Sequence, residues 1–350
     1  MAHDIRPTTA DDLPELGRFL VEGFHSPEDS AFAATEVLRW KYFDPIGEDS
    51  CEMERSLLAR DQETGRIVGH LGVYPGRIRG PGLPTEGVST LHMIDWLADR
   101  SASGVGATLM RRAHRSTETQ YVLGGSEAAR SVISRAGYNL FGSVTMHQRV
   151  LRAGYRWKVP GPGPVGRGLR AARDAGRILA GSIPPPACPI SLQPVPSFGR
   201  EIEPILASTA ERAIFSSRGA DRLNHLLRYP RGGITGWHLH GEGRIRGIAL
   251  LAVVPRPGRV LVGKVVELML DDSDEPAWHG AIHALTGELG RLRADVATSV
   301  VSTEWAARAF GASGYLPAHP IEFRLRDRSQ LIPPASTIHL SMTEADYAYT

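Results

Sequence analysis

"SEAARSVISRAGY" occupies residues 126–138, and 177 positions later the chain reads "TEWAARAFGASGY". Both stretches run hydroxyl residue, Glu, any residue, Ala, and both close on Gly-Tyr: Ser126, Glu127, Ala129, Gly137 and Tyr138 against Thr303, Glu304, Ala306, Gly314 and Tyr315. This is a helix written with its start and its stop. A hydroxyl residue caps the first amides, and a glycine at the far end takes the left-handed turn that releases the chain. Two further pairs keep the same order: "EVLRWKYFDP" (36–45) faces "DRLNHLLRYP" (221–230), and "GRIVGHLGVYP" (65–75) faces "GRIRGIALLAVVP" (243–255), at offsets of 185 and 178. Three matches in register predict one unit of about 150–180 residues used twice.

The bulk composition allows this. A chain of 350 residues has room for two domains, each with its own core. Hydrophobic residues at 42% and charged residues at 22% describe a globular protein, and a formal charge of +2 gives no global field to recruit DNA or an anionic membrane. "MAHDIRPTTADDLPEL" has acids where a secretory leader needs a basic and then an apolar stretch. Cys51 and Cys188 stand far apart, so a reduced, cytoplasmic protein without a disulfide framework is expected. Between the copies, 17 of the 48 residues from 153 to 200 are Gly or Pro, which disfavours a sheet or a long helix. The expected division is 1–152 for the first domain, 153–200 for a linker with one short basic helix at 169–179, 201–330 for the second domain, and 331–350 for a tail. The linker's seven basic residues against one acid read as a solvated surface.

Each unit reads as helix, helix, several strands, helix, strand, helix, strand, a mixed α+β layout. In the first, Leu13, Leu16, Phe19 and Leu20 mark one face of a helix, and "RSLLARD" and "RIVGHLGVYP" read as a hairpin around the polar turn "QETG". The most informative junction is "MIDWLADRSASGVGATLMRRA" (93–113). A strand ends, a turn of small residues follows, and a helix starts near Gly104. Amides at a helix start lack internal partners and carry the positive end of the helix dipole, so small residues there admit a phosphate. Ser101, Ala102, Ser103, Gly104, Val105, Gly106 and Ala107 form this turn, with Arg100 or Arg111 to add charge. A helix cap that binds nothing would carry the same letters, because G-x-G alone is a weak signal.

The order of elements, this junction and the "SEAARSVISRAGY" that follows resemble the GNAT superfamily of acyl-CoA-dependent N-acyltransferases. The family pattern R/Q-x-x-G-x-G/A becomes Ser101-Ala-Ser-Gly104-Val-Gly106. The pattern N-x-x-A-x-x-x-Y-x-x-x-G-F/Y becomes residues 126–138, with Ser126 for Asn and Ile133 for Tyr. "RWKYFDPIG" and "GHLGVYPGRIR" further resemble bacterial GNAT-like proteins associated with surface-polysaccharide and other biosynthetic gene sets. The resemblance covers 1–150 well and 200–327 more faintly. It implies two tandem GNAT-like domains, each a mostly antiparallel sheet flanked by helices, and acetyl-CoA or another acyl-CoA as co-substrate. The pyrophosphate would lie on 101–107 and the pantetheine arm along Asp95, Trp96 and Leu97. Without Arg or Gln at 101, the phosphates are left to backbone and hydroxyl donors. Without Tyr at 133 the usual acid is missing, although a thiol of pKa about 8.5 leaves without strong acid help. In the second copy, "VVELMLDDSDEPAWHGAIHALTGELG" (265–290) puts Asp271, Asp272, Asp274 and Glu275 where the phosphates would go, so that copy is expected to be degenerate.

Acyl transfer to an amine needs a base and a polarised carbonyl. Asp95 is the first candidate base and His92 the second, on a strand where alternate residues face opposite sides. Ser126 is a polar group near the thioester, and His70 and Tyr74 are candidates for the acceptor pocket. Each has a structural alternative: a capping carboxylate, a half-buried histidine, a helix N-cap, sheet packing. No Cys/His cluster has metal spacing, and His238 and His240 lack a third ligand. The function expected is direct transfer from acetyl-CoA, in a ternary complex, to the amine of an amino sugar or secondary metabolite. Partners would be this small-molecule acceptor, with no DNA and no membrane, and a homodimer is left open. A non-catalytic tandem protein that binds a metabolite or partner, or an aminoacyl-tRNA-dependent transferase, would share the same letters.

Overall fold

The amphipathic pattern at the N-terminus does what its spacing demands: Leu13, Leu16 and Leu20 are fully buried on one face of α1 (Leu13–Gly23), which follows β1 (His3–Pro7). The computed structural model describes residues 3–47, 53–159, 163–181, 190–216, 218–334, 336–344 and 346–348; Cys51 and Cys188 lie outside them. The first unit continues through α2 (Thr35–Tyr42), β2 (Ser56–Asp61), β3 (Ile67–Arg79), β4 (Val88–Ala98), α3 (Val105–Ala113), β5 (Thr119–Leu123), α4 (Glu127–Arg135) and β6 (Asn139–Val150). Between the units stand α5 (Tyr155–Lys158) and α6 (Pro164–Ala180). The second unit repeats the order: β7 (Ser191–Val195), α7 (Glu203–Arg212), a short β8 (Phe215–Ser216), α8 (Ala220–Leu227), β9 (Ile234–Gly241), β10 (Arg244–Arg256), β11 (Val260–Leu270), α9 (Glu275–Arg291), β12 (Val296–Val301), α10 (Glu304–Ala312) and β13 (Leu316–Asp327).

The repeated words have repeated structures. Ser126 Oγ accepts from the Ala129 amide at 3.2 Å at the start of α4. Gly137 and Gly314 both have positive φ, 89° and 78°, after α4 and α10. The following amide then reaches back five residues, Tyr138 to Ile133 and Tyr315 to Phe310, which closes each helix. Both tyrosines are buried and hydrogen-bonded, Tyr138 to Gln120 Oε1 at 2.7 Å and Tyr315 to Thr286 Oγ1 at 2.9 Å.

All but one of the thirteen strands lie on one path, in the order β1-β2-β3-β4-β5-β13-β6-β12-β11-β10-β9-β7, with β8 attached to β3. The units have exchanged their last strands. β6 leaves its own β5 and pairs antiparallel with β12, while β13 pairs antiparallel with β5. Where the exchanged strands meet each other, Val144 faces Ile321. These positions are 177 residues apart, the offset of the repeated helix, so equivalent residues pair across a local two-fold. Trp40 and His225, equivalent at offset 185, likewise stack face to face at 4.5 Å with 6° between their rings. A core shared by both units, including Trp40, Tyr121, Val144, Ile205, Leu250 and Ile321, fills this seam.

Two stretches differ from the sequence reading. The basic helix is longer than 169–179, because Pro164 fits the first turn of a helix, where its missing N–H costs nothing. β7 lies within the stretch read as linker and pairs with β9. Beyond β13 the chain returns along the seam, where Ile338, Leu340 and Met342 are buried. Among the described residues, no helix is long and apolar enough to cross a membrane.

The exchange predicts that neither unit folds by itself. Residues 1–181 alone would leave β5 without β13, and β6 without either neighbour. Expressed separately, 1–181 and 190–350 should fail to give a cooperative unfolding transition by circular dichroism. Co-expressed, they should elute from size exclusion as one complex.

Candidate active site

β4 and β5 run parallel, yet they pair only over Thr90–His92 and Thr119–Tyr121. Beyond His92, β4 continues to Ala98 paired, among the described residues, with β3 alone, and a cleft opens between it and the end of β5. The cause is a bulge. Ile94 pairs with Gly72 but Leu97 with His70, so β4 spends three steps against two on β3. The extra residue is Asp95, whose φ of 47° is left-handed, a conformation that a non-glycine residue adopts at a cost of roughly 1–2 kcal/mol.

That strained turn is held on both sides. The Asp95 carboxylate accepts from Lys41 Nζ at 2.8 Å and from Tyr42 Oη at 2.5 Å, both from α2. Burial by itself would raise this carboxyl, but the Lys41 ammonium and the two hydrogen bonds outweigh it and hold the group below the usual carboxylate range. Lys41 is 1% exposed. On the backbone side, His70 Nδ1 donates to the Asp95 carbonyl at 2.9 Å while its Nε2 accepts from Ser56 Oγ at 2.9 Å. Burial pushes the His70 imidazole down to about 4, so it is neutral near pH 7 and keeps this tautomer.

The cleft has a volume of about 1070 Å3. One wall is β4 from Met93 to Ala98, with Asp99 and Arg100; the other is Val122, Leu123, Gly125 and the start of α4 at Ser126, Ala129 and Ile133. The end of α1 faces them with Phe19, Glu22, Phe24 and His25, and Tyr347 joins from the C-terminal segment. Just past Arg100 is the small-residue turn. Ala102 and Val105 are buried and pin it, and Trp96 Nε1 donates to the Gly106 carbonyl at 3.2 Å. The Ser101 amide and hydroxyl both donate to Asp99 Oδ1 at 2.8 Å, and the Ala102 and Val105 amides are also engaged. Among the described residues nothing accepts from the amides of Ser103, Gly104, Gly106 and Ala107. Gly104 has φ 83°, and a Cβ there would meet nothing within 4 Å. The turn thus presents open donors at the head of α3.

Solved structures share this fold. N-myristoyltransferase of Saccharomyces cerevisiae with bound myristoyl-CoA superposes with a TM-score of 0.65 at 11% identity, over 93% of this chain and 82% of that one. A GCN5-related N-acetyltransferase from Anabaena variabilis gives 0.60 at 12% identity, over 93% and 73%. The chain has the GNAT fold. No family model matches the sequence, and no curated protein is similar to it in sequence.

The second GNAT-like unit carries the same bulge without the cleft. Leu250 pairs with Glu267 but Leu251 with Val265, so Val266 is the extra residue of β11. The opening between β11 and β12 is filled by the protein's own C-terminal segment. The Met342 amide donates to the Val266 carbonyl at 3.0 Å, the Leu340 amide to Ser302 Oγ at 2.8 Å, and Ser341 Oγ to Glu267 at 2.8 Å. Only about 20 Å3 remains there. Asp271 and Asp272 are tied to Arg246, and Asp274 caps α9 through the Ala277 amide at 3.2 Å. The degenerate copy is a filled copy.

Several candidate residues have other duties. Asp95 lines the cleft, but its carboxylate is taken by Lys41 and Tyr42, both missed as partners in the sequence. His92 is 2% exposed and stacked on Tyr121 at 4.5 Å, and burial lowers its imidazole to about 4. It lies at the closed end of the split. Ser126 lines the cleft and caps α4. Trp96 and Leu97 line it. His70 and Tyr74 do not: His70 is under the bulge, and the Tyr74 ring lies against Arg222 at 4.3 Å in the seam. Arg218, fully buried there, bridges Glu267 and Glu344 at 2.8 Å each, and Glu344 accepts from Tyr121 Oη at 2.5 Å. Among the described residues, no cluster of metal-ligating side chains exists. Glu22 and His25 escaped the sequence reading because nothing in "VEGFHS" marks them as facing β4.

Removing one member of a buried ion pair strands the other, at a cost of about 3–5 kcal/mol. Lys41→Met should lower unfolding stability in urea by this order. Adding Asp95→Asn to it should recover at least half of the loss.

Proposed function

We propose that the first unit binds an acyl-CoA, acetyl-CoA in the simplest case, and transfers its acyl group to the amine of a small molecule. The observation that carries this reading is the open cleft ending at unpaired amides in one copy, against its filled counterpart in the other. The GNAT fold and the myristoyl-CoA bound in a structural neighbour support it. In this reading the diphosphate sits on the amides of Ser103, Gly104 and Ala107, all exposed residues, with Arg66 and Arg100 in the lining to offset Asp99. The pantetheine arm follows β4 along Asp95, Trp96 and Leu97, where the strand has no neighbour on the β5 side. Apolar Phe19, Met93, Ile94, Val122 and Ile133 surround the acyl end.

The amine nitrogen attacks the thioester carbonyl carbon, the C–S bond breaks, and the coenzyme A thiolate leaves. The lining includes four carboxylate or imidazole groups, Glu22, His25, Asp95 and Asp99; Asp95 and Asp99 are engaged. Glu22 and His25 are exposed and have no side-chain partner among the described residues. The amine proton is therefore assigned to His25, with Glu22 beside it. Ile133 stands where the family has an acid, so the departing thiolate takes its proton from solvent. That same apolar residue favours the runner-up, a tandem protein that binds coenzyme A without transfer.

Isothermal titration with acetyl-CoA should give saturable, one-to-one binding. Gly104→Asp, tolerated in a left-handed turn but placing a carboxylate at the head of α3, should weaken it at least about ten-fold, while Gly104→Asn should not. No binding by the unaltered chain would remove the proposal; binding without transfer to any amine in a broad acceptor screen would leave the runner-up.

His25→Ala should lower kcat by on the order of 100-fold in a steady-state transfer assay, with acetyl-CoA affinity unchanged.

A further inference from the structure

The helix between the two units wears its apolar face outward. Val165, Leu169, Ala172, Gly176 and Leu179 recur at intervals of four, three, four and three residues, which puts them on one stripe about 80° wide along α6. Val165, Leu169 and Leu179 are 79%, 70% and 74% exposed. Trp157, on the neighbouring α5, is 54% exposed. A surface helix ordinarily turns such a stripe to the core. In α6 the opposite edge is turned in and tied down: Asp174, 2% exposed on its side chain, accepts from Arg156 at 2.5 Å and from Arg173 at 3.4 Å. The outward stripe is thus fixed by an anchored acid.

The charge around the stripe has one sign. Arg167, Arg170, Arg173 and Arg177 are the other charged residues of α6, and Asp174 is its single acid. Beside the helix is a cavity of about 250 Å3 whose lining includes Arg149, Arg156, Arg173 and Arg177, with Asp174 as the only acid among the described residues. Arg149 is 7% exposed; one of its terminal nitrogens donates to the Ser313 carbonyl at 2.7 Å, and its Nε has no partner among the described residues. A buried guanidinium with an unanswered donor, in a hollow of arginines, is a place for an anion.

We propose that α6 with Trp157 is an in-plane anchor for an anionic lipid surface. Val165, Leu169, Leu179 and Trp157 enter the boundary between headgroups and acyl chains, and the flanking arginines engage headgroup phosphates. The same face of a second copy would bring arginines against arginines, so charge selects the lipid. This goes beyond the acyltransfer reading and does not depend on it. It also departs from the sequence expectation of no membrane partner, which rested on the near-neutral total and not on where the charges gather.

Co-sedimentation of the full chain with vesicles tests it. Phosphatidylcholine containing about a third phosphatidylglycerol should bind at least about ten-fold more protein than phosphatidylcholine alone, and about 0.5 M salt should release most of it. Leu169→Asp with Leu179→Asp, both at exposed positions, should abolish sedimentation while leaving the thermal unfolding midpoint in place. Arg170→Glu should weaken binding to the anionic vesicles only. Equal partition onto both vesicle types would overturn the proposal, as would binding unmoved by the two aspartates. Dimerisation that those aspartates abolish, without vesicle binding, would assign the face to a second copy instead.

Discussion

The exchange of β6 and β13 is the constraint on which the remainder rests. The fifth strand of the first unit has a parallel neighbour for only three residues, and its other edge is completed by a strand from the far end of the chain. The β4–β5 split can therefore stay open, because β5 is held from behind. An open split in a lone unit would leave β5 as a short, poorly paired edge. The local two-fold through Val144 and Ile321, and the stacking of Trp40 on His225, make the two halves one body with one seam.

Identical scaffolds have been finished differently. In the first copy the bulge residue is an aspartate locked by a buried lysine, and the space beyond is left clear. In the second it is Val266, and the chain's own backbone completes the hydrogen bonding that an extended ligand would otherwise supply. The locked bulge also illustrates why a carboxylate in a cleft is not thereby a base. Asp95 is ionised, desolvated and fully engaged, and its work is to hold β4 in a strained turn.

The repeated helix, the hairpin and the small-residue turn could be read in the sequence because each is a local event: a cap, a polar turn, a glycine with positive φ. The fold followed from their order. What could not be read is what depends on distance. Lys41 is 54 residues from Asp95, and no spacing rule connects them. β6 and β13 carry similar alternation, so nothing local says that they trade places. Ser101 was expected to offer its amide outward, but Asp99 two residues earlier captures it, a competition among short polar side chains that composition leaves undecided. His70 and Tyr74 were expected in the acceptor pocket on strand proximity alone. Alternation gives a residue's face, not what covers that face.

One consequence follows from where the closing pieces lie in the chain. Residues 316–347 supply the strand behind β5, the plug between β11 and β12, and the Tyr347 wall of the open cleft. All three duties fall on chain that follows α10, so a single proteolytic cut after Ala312 would loosen the support of β5, the plug and the Tyr347 wall together. The open copy and the filled copy thus share one point of failure.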